Sequence, residues 1–508
     1  MLSLSPRYWS GALAVPLVLL AGCATTRYDA EVRQASEDVA QRTGWQPEWS
    51  APWASEVPQW DGQTPLSVEQ AVTIALQNNR ALRADVEQIG VARADFVQAG
   101  LLPNPLLSVA LGFPEGGMGS PKLTAGIVQP LADLWLMPAR RGAAEAELRQ
   151  QVLRASRLAL ELVAKVEQAH ARTAYVQDAL TLLTENADVL ERSQTVVARR
   201  RQAGASTALD TNRMRAAALR LSAERLSLET ELEHEKRGLL ELMGLAGGPT
   251  SWDVQAPPPS ELLTFDEDEI IAVAQAQRLD VLAATWTVEA RRSHVREQSL
   301  AWLPTLELGV EVERDARPRG DELTAGQRVG NLVTHDLVNR AFGESGLGPP
   351  EINPWRPHEF EPAYTLGPSL SLDLPVFDQH QAQIAAAQAE LRSAQAMAAA
   401  VEQQAIREAR QACVQHRQAV RLAEFYEHEV VPLMREDVEL ARQAFEAGQN
   451  DLTVLLEAQQ ELIAARSESL RHRRDVQLGR IELAHAVGGA LLLPEPRHEP
   501  ATTQPVAR

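Results

Sequence analysis

Two periodicities divide this chain. After Pro304, Leu306, Leu308, Val310 and Val312 alternate with Thr305, Glu307, Gly309, Glu311 and Glu313. Farther on, Leu366, Pro368, Leu370, Leu372 and Leu374 alternate with Thr365, Gly367, Ser369, Ser371 and Asp373. The first half carries Leu107, Val109, Leu111 and Phe113, then a run from Leu123 to Gln129. Period two over about ten residues predicts strands with one apolar face. A transmembrane β-barrel segment and a half-buried sheet of a soluble protein share this local pattern.

Elsewhere the pattern is helical and very long. Residues from about Pro138 to Gln202 contain one Gly and, past Pro138, no Pro; Thr207 to Met243 continues with one Gly. The second half repeats this, from about Gln379 to Glu446 and from Leu452 to Val487. The helices break at Ala203-Gly204-Ala205 and at Ala447-Gly448-Gln449, where Gly accepts the positive φ that reverses a helix. The outgoing helices predict lengths of about 100 Å at 1.5 Å per residue. The return helices carry heptad-like seams, Leu455, Leu462, Ser469, Val476 and Leu483 in one and Leu221, Leu228, Leu232, Leu239 and Leu242 in the other. Small residues on several faces of 385–400 suit a helix hemmed in by neighbours. Pro432 predicts a local bend in the second outgoing helix.

The order of elements occurs twice. Ser67 and Gln70 form a capping-box start, opening a helix through Asn78 to Gly100. Asp266 to Glu269 opens its counterpart, through Arg278 to Leu300. Each is followed by a Pro, a strand, a loop, a strand and a helical hairpin. The predicted organisation is a signal peptide over 1–22, an N-terminal strap over 23–65, and a first repeat over 66–246 with its β-hairpin at 105–130. A linker at 247–263 leads to a second repeat over 264–490, with its β-hairpin at 304–376, and a tail at 491–508. The second repeat is the longer because its inter-strand loop, 314–363, is a Gly-, Pro- and charge-rich surface loop.

The N-terminus changes the picture. Arg7 precedes an apolar run, Gly11 to Leu20, that ends in Leu20-Ala21-Gly22-Cys23. The run is too short to span a bilayer as a mature helix and fits a signal sequence. Small residues before Cys23 resemble a bacterial lipobox, which implies a covalent lipid on Cys23; Ala24 in the next position implies sorting to the outer membrane. The alternative is an ordinary signal peptide with an incidental Cys. The signal tips the alternating stretches toward transmembrane strands, apolar to lipid and polar to a lumen. Two hairpins in one chain cannot close a barrel, and open edges are not tolerated in lipid, so closure requires several copies. Trp45, Trp49, Trp53 and Trp60 predict either a strap packed on the body or a membrane-interface cluster.

Composition excludes several classes. A net charge of −19, from 68 acidic and 49 basic residues, argues against nucleic acid as a partner. Two Cys, Cys23 and Cys413, form no disulfide framework and no zinc site, and Cys413 in its Ala-rich run reads as a small buried hydrophobe. His428-Glu429 begins like a metalloprotease motif, but Pro432 occupies the second His position. No cofactor and no enzymatic activity are expected.

In its duplicated order of motifs the chain resembles the TolC-like outer membrane efflux family, in its lipoprotein branch. The resembling residues are Leu66 to Ala71 through Asn79, Ala99 to Pro105, Arg278-Leu279-Asp280, Leu303-Pro304, Gly367 to Leu370, Leu374 to Phe377 and Phe445 to Gly448. They span about 66 to 490. The resemblance implies a mainly α fold with a β-barrel portion: a homotrimer whose four strands per chain make one 12-stranded barrel, and whose helical hairpins make a periplasmic α-barrel. The Gly turns would be periplasmic tips that meet an adaptor protein, coupled to a proton-driven inner-membrane pump.

The resemblance also implies sites. Ala203, Gly204, Ala205, Ala447, Gly448, Gln449 and Phe445 would contact the adaptor. Arg199, Arg200 and Arg201 beside the first tip depart from the family's aromatic there, and read as an electrostatic adaptor contact or as a solvated helix end. The family narrows its entrance with acidic residues six and nine beyond the tip Gly. Here those offsets give Val454 and Glu457, and Asp210 and Arg213. Glu457 is expected as an acidic ring of three, with Asp210 a salt-bridging partner nearby; solvated helix charges are the alternative. Glu307, Glu311, Glu313 and Asp373 would line the barrel lumen, where carboxylates favour cations. The exit duct of a tripartite efflux pump for small substrates, heavy-metal cations among them, is the leading reading. A duct for protein secretion and a structural periplasmic coiled-coil lipoprotein are the others.

Overall fold

The computed structural model describes residues 25–49, 60, 62, 64–112, 122–202, 207–256, 266–303, 305–318 and 360–489. Cys23 and its signal, the first tip Ala203-Gly204-Ala205, Trp53, Phe113, the middle of the long loop and the tail lie outside the described residues. The chain divides into two compact units, one of residues 1–94, 146–288 and 394–508, the other of 95–145 and 289–393.

The first unit is helical. α1 (Asp29–Thr43) buries Val32, Ala35 and Val39 and ends on Gly44 at φ 78°. The strap is seated on protein: Trp49 donates its indole N–H to the Leu76 carbonyl at 3.0 Å, and Trp60 meets Trp252 edge-on at 5.1 Å. α2 (Val68–Asn78) opens on the expected capping box, in which Ser67 Oγ accepts from the Gln70 amide and the Gln70 side chain accepts from the Ser67 amide.

The single helix expected through Asn78 to Gly100 is two. Asn79 is extended (ψ 114°), and its Oδ1 accepts from the amides of Ala81 and Leu82, so it caps α3 (Arg80–Ala99). The second repeat breaks at the same place. Arg278, at ψ 128°, separates α6 (Glu267–Gln277) from α7 (Leu279–Leu300). Both breaks are held from the far end of a return helix. Asn79 Nδ2 donates to the carbonyl of Leu242, the last residue of α5 (Ala208–Leu242). Arg278 Nη1 reaches the carbonyl of Ala486, the last residue of α10 (Leu452–Ala486).

The outgoing helix of the first repeat, α4 (Asp133–Gln202), begins before Pro138, which lies inside it. The outgoing helix of the second is α8 (Gln381–Phe425), a π turn (Tyr426–Val430) and α9 (Val431–Glu446). Where Pro432 predicts a local bend the structure has this π turn, one extra residue inserted just before a Pro that has no amide to give the preceding turn. The insertion preserves phase. Along α8 the buried side runs Ala405, Ala409, Ala412, Cys413, His416, Val420 and Ala423; beyond the π turn it resumes at Val431. Eight residues separate Ala423 from Val431. In an unbroken α-helix that is about 80° past two full turns. The π turn absorbs the excess and leaves Glu427 exposed. Cys413 packs as a small hydrophobe with Ala409, Ala412, Ile270 and Leu483.

The second unit holds the sheet, with strands β1 (Leu106–Gly112), β2 (Lys122–Pro130), β3 (Thr305–Pro318) and β4 (Phe360–Asp373) in the order β1-β2-β3-β4, all antiparallel. The two hairpins are therefore not separate; β2 pairs with β3 and joins the repeats in one sheet. Among the described residues β1 and β4 are its open edges. The helix ends in this unit are tied by Arg140, which bonds Asp133 at 2.9 Å and Glu297 at 3.3 Å.

Candidate functional site

The register sorts the strand residues into two faces. Leu107, Ile127, Val310 and Pro368 lie in one cross-strand row, and Val109, Ala125, Val312 and Leu366 in the next but one on the same face. Leu107, Val109, Ile127, Leu308, Val310 and Leu370 are each at least half exposed, so the apolar face is continuous and exposed among the described residues. Soluble monomers rarely expose such a patch. The opposite face carries Ser108, Gly126, Glu311 and Gly367 in one row, and Thr124, Glu313 and Thr365 in another. Glu307 opposes Ser371 and Asp373 opposes Thr305. Alternation thus puts Glu307, Glu311, Glu313 and Asp373 on one polar face, neighbours along β3 being about 7 Å apart per two residues. Lys122 pairs with Glu313 on that face.

The second hairpin end is built by its backbone. Ala447 remains helical and Gly448 turns to φ 72°. The Gly448 amide donates to the Phe445 carbonyl at 3.1 Å and the Gln449 amide to the Ala444 carbonyl at 2.9 Å. Asp451 then caps α10 through the Leu452 amide. At the first hairpin end, Thr207 starts α5 in a capping box with Asp210. Asp210 is buried, and its Oδ2 accepts from the Thr207 amide and hydroxyl, each at 2.7 Å. Its carboxylate makes the cap that the Thr207-to-Asp210 spacing encodes.

The two ends are pinned together within one chain. Val197 of α4, Met214 of α5 and Leu452 and Leu456 of α10 form a buried cluster, with Phe445 packed against it. Phe445 is thus half-buried, and Arg213 bonds the Thr453 hydroxyl across the same junction. Arg199, Arg201, Ala447, Gly448, Gln449 and Glu457 are exposed. Nothing is described of the Arg200 side chain.

The role of Arg278-Leu279-Asp280 is not legible in the sequence and comes from the fold. The Arg278 guanidinium is buried, bonds Asp280 through two contacts at 3.0 and 2.7 Å, and bonds Glu408 at 2.7 Å. Burial opposes its charge, but the two carboxylates outweigh burial and hold its pKa above the usual range. Burial likewise opposes ionisation of Asp280 and Glu408; hydrogen bonds, from Arg278 and for Glu408 first from Gln404, hold both below the carboxylate range. Burial, and then Arg278, lowers His485 beside them. Among the described residues no cluster of His, Cys, Asp and Glu has the arrangement of a metal site. No described helix is long and apolar enough to cross a membrane.

The Outer membrane efflux protein family matches this chain over residues 71–245 and 270–489, which takes in both repeats. No curated protein matches the sequence. Several solved structures share the fold. The crystal structure of a membrane protein from Pseudomonas aeruginosa is 20% identical with a TM-score of 0.64, covering 88% of this chain and 100% of that one. CusC, described in crystal structures of transmembrane channel formation, is 16% identical with a TM-score of 0.66, covering 88% and 99%. The outer membrane protein VceC of Vibrio cholerae is 17% identical with a TM-score of 0.64, covering 84% and 96%. With both repeats matched and the fold shared over nearly all of its length, the chain belongs to the outer membrane efflux protein family.

Proposed function

We propose that three copies of this chain form the exit duct of a tripartite efflux pump. As an outer membrane efflux protein the chain is a passive outer-membrane channel with a periplasmic extension, and not an enzyme. One observation carries the proposed assembly: a four-stranded sheet with an exposed apolar face and, among the described residues, two open edges. In lipid each unpaired backbone group costs several kcal/mol, about enough that an open edge has to be closed by another copy. Three sheets give twelve strands, with Glu307, Glu311, Glu313 and Asp373 toward the lumen.

The lipid on Cys23 adds a second anchor to the barrel. The hairpin ends receive a periplasmic adaptor, whose partner is a proton-driven inner-membrane pump that supplies the energy. Two kinds of tip alternate around the trimer, one flanked by Arg199, Arg200 and Arg201, the other by Phe445 and Gln449. Glu457 of three copies forms an acidic ring near the entrance. Acidic rings and an acidic lumen favour cationic cargo, heavy-metal ions included.

The test is a deletion strain, complemented with the natural gene, challenged with zinc, copper and cobalt and, in parallel, with detergents and dyes. Hypersensitivity to the metals alone supports metal-ion cargo, and hypersensitivity to detergents and dyes overturns it. No sensitivity to either, with the protein in the outer membrane, overturns the efflux duct. For the gate, purified trimer in planar bilayers should lose its block by divalent cations in Glu457→Gln; unchanged block removes Glu457 from the entrance.

A further inference from the structure

The two helix breaks are built alike, residue for residue. In the first repeat the Gly244 amide donates to the Glu241 carbonyl at 3.0 Å and the Leu245 amide to the Leu240 carbonyl at 2.8 Å. In the second the Gly488 amide donates to the His485 carbonyl at 3.1 Å and the Gly489 amide to the Ala484 carbonyl at 2.9 Å. Asn79 and Arg278 reach the last carbonyl of their return helices in the same way. Each break, with the glycine turn that meets it, forms one joint.

Among the described residues only the second joint is covered. The last turn of α1 lies on it: the Arg42 guanidinium donates to the Gln277 carbonyl at 3.4 Å, and a Cβ on Gly489 would lie 2.5 Å from the Arg42 carbonyl oxygen. Arg42, Gly488 and Gly489 are all buried. At the first joint Gly244 is exposed and Leu245 only partly buried. A cavity of about 840 Å³ opens there, lined by Asn79, Arg80, Leu242, Gly244 and Gly247 and walled by Trp60.

We propose that the first joint is a docking site for the end of a helix from a second protein. The last turn of that helix carries an arginine with a glycine two residues on, as Arg42-Thr43-Gly44 does in α1. A neighbouring copy of this chain does not supply it, because α1 of each copy is already seated on that copy's own second joint.

The chemistry of the first joint suits such a helix end. α2 and α5 both finish there, and helix C-termini carry a partial negative charge that favours a cation. The exposed carboxylate of Glu241 adds to it. By the correspondence of the joints the incoming guanidinium donates to the Asn78 carbonyl, the counterpart of Gln277. Trp60 is held edge-on against Trp252 at 5.1 Å, which fixes an aromatic ring at the cavity wall for a guanidinium to stack on. Arg80 stands exposed at the start of α3, where the second joint has the buried Leu279. Its guanidinium is placed for the orphan carbonyls in the last turn of the incoming helix. The joint thus offers acceptors to the arginine and a donor to the helix end.

The probe is a synthetic peptide of residues 29–46, which is α1 with its glycine turn, carrying a fluorescent label at its start. Full-length protein in mild detergent is titrated with it to about 1 mM, because a short helix must order as it binds. The expected result is saturable binding that weakens about ten-fold or more with Arg42→Gln in the peptide. Gly247→Trp in the protein should weaken it by a similar factor, since a side chain at Gly247 starts in open space on the cavity wall. Ala81→Trp, from the first turn of α3, is the second blocking variant, and thermal unfolding checks that both are folded. A photoreactive group at Thr43 of the peptide should label 79–81 or 240–249. No saturable binding, equal binding by the Arg42→Gln peptide, or binding untouched by both blocking variants overturns the proposal. So does labelling at 277–279 or 484–489, which would mean that the probe displaces α1 from the second joint.

Discussion

Gly244 is pressed against Asn78: a Cβ on Gly244 would lie 2.7 Å from the Asn78 carbonyl oxygen. The second repeat has the same contact, where a Cβ on Gly488 would lie 3.1 Å from the Gln277 carbonyl oxygen. Both glycines follow the end of a return helix, at φ 73° and 93°, and both touch the last residue before a helix break. Each repeat thus docks the end of its hairpin onto its own broken helix by the same device.

Gly244→Ala should therefore be costly for two reasons, strain at positive φ and collision with a backbone oxygen. The expected loss is about 1–3 kcal/mol, read from thermal or denaturant unfolding. Gly238→Ala is the contrast. It sits inside α5 with nothing within 4 Å of the added atom, and should stabilise by about 0.5–1 kcal/mol. If both variants unfold like the natural protein, the docking contact contributes nothing.

Arg278→Met should uncouple the second break. It leaves Asp280 and Glu408 without their guanidinium and the Ala486 carbonyl without its donor. Because Glu408 is about two-fifths exposed, the loss falls short of a fully buried pair, at about 2–3 kcal/mol. Asp280 and Glu408 have lowered pKa values, so their contribution is full above the unfolded carboxylate range and is lost as pH falls through the folded values. The gap between natural protein and variant, measured by unfolding, should therefore close below about pH 4. A gap that persists there would assign the effect to packing.

His170 should make stability pH-dependent in a higher window. The ring is buried and its Nε2 donates to the Leu66 carbonyl at 2.9 Å. Burial lowers its pKa, so the folded state holds it neutral while the unfolded state takes up a proton below about 6.5. Stability from this group is full above that value and falls as pH drops toward the lowered folded value. Comparing unfolding at pH 8 and pH 5.5, the natural protein should lose more than His170→Gln. Equal losses would remove His170 as the source.

The π turn predicts an unusual tolerance. Deleting Glu429 together with Pro432→Ala removes the one extra residue and lets α8 and α9 join as an unbroken α-helix with both faces in phase. That variant should fold within about 1 kcal/mol of the natural protein, since surface changes away from special features cost little. Deleting Glu436, an equally exposed residue outside the π turn, rotates the rest of α9 by about 100° and pulls Ala441 and Phe445 off their contacts. That should cost about 3 kcal/mol or more. Equal outcomes for the two deletions would mean that the π turn does not set phase.

Local signals along the chain were sufficient for the elements and their repetition. Strict alternation after Pro304 determined β3 and its faces, because side chains in a strand have no choice but to alternate. Ser67 and Gln70 determined the start of α2, and Gly448 the reversal after α9, because caps and positive φ are properties of one or two residues. Three features were decided only by the tertiary structure. The breaks at Asn79 and Arg278 depend on carbonyls supplied by Leu242 and Ala486, far along the chain, and no local pattern records them. The pairing of β2 with β3 is a contact between repeats, invisible to patterns read within each. The π turn answers a mismatch of phase between α8 and α9, and that mismatch exists only because both helices pack on α10, through Val476 on one side and Leu452 and Leu456 on the other. Asp210 lies between the two cases: its capping box was written in the sequence, but only the folded chain shows the carboxylate turned in to the Thr207 amide.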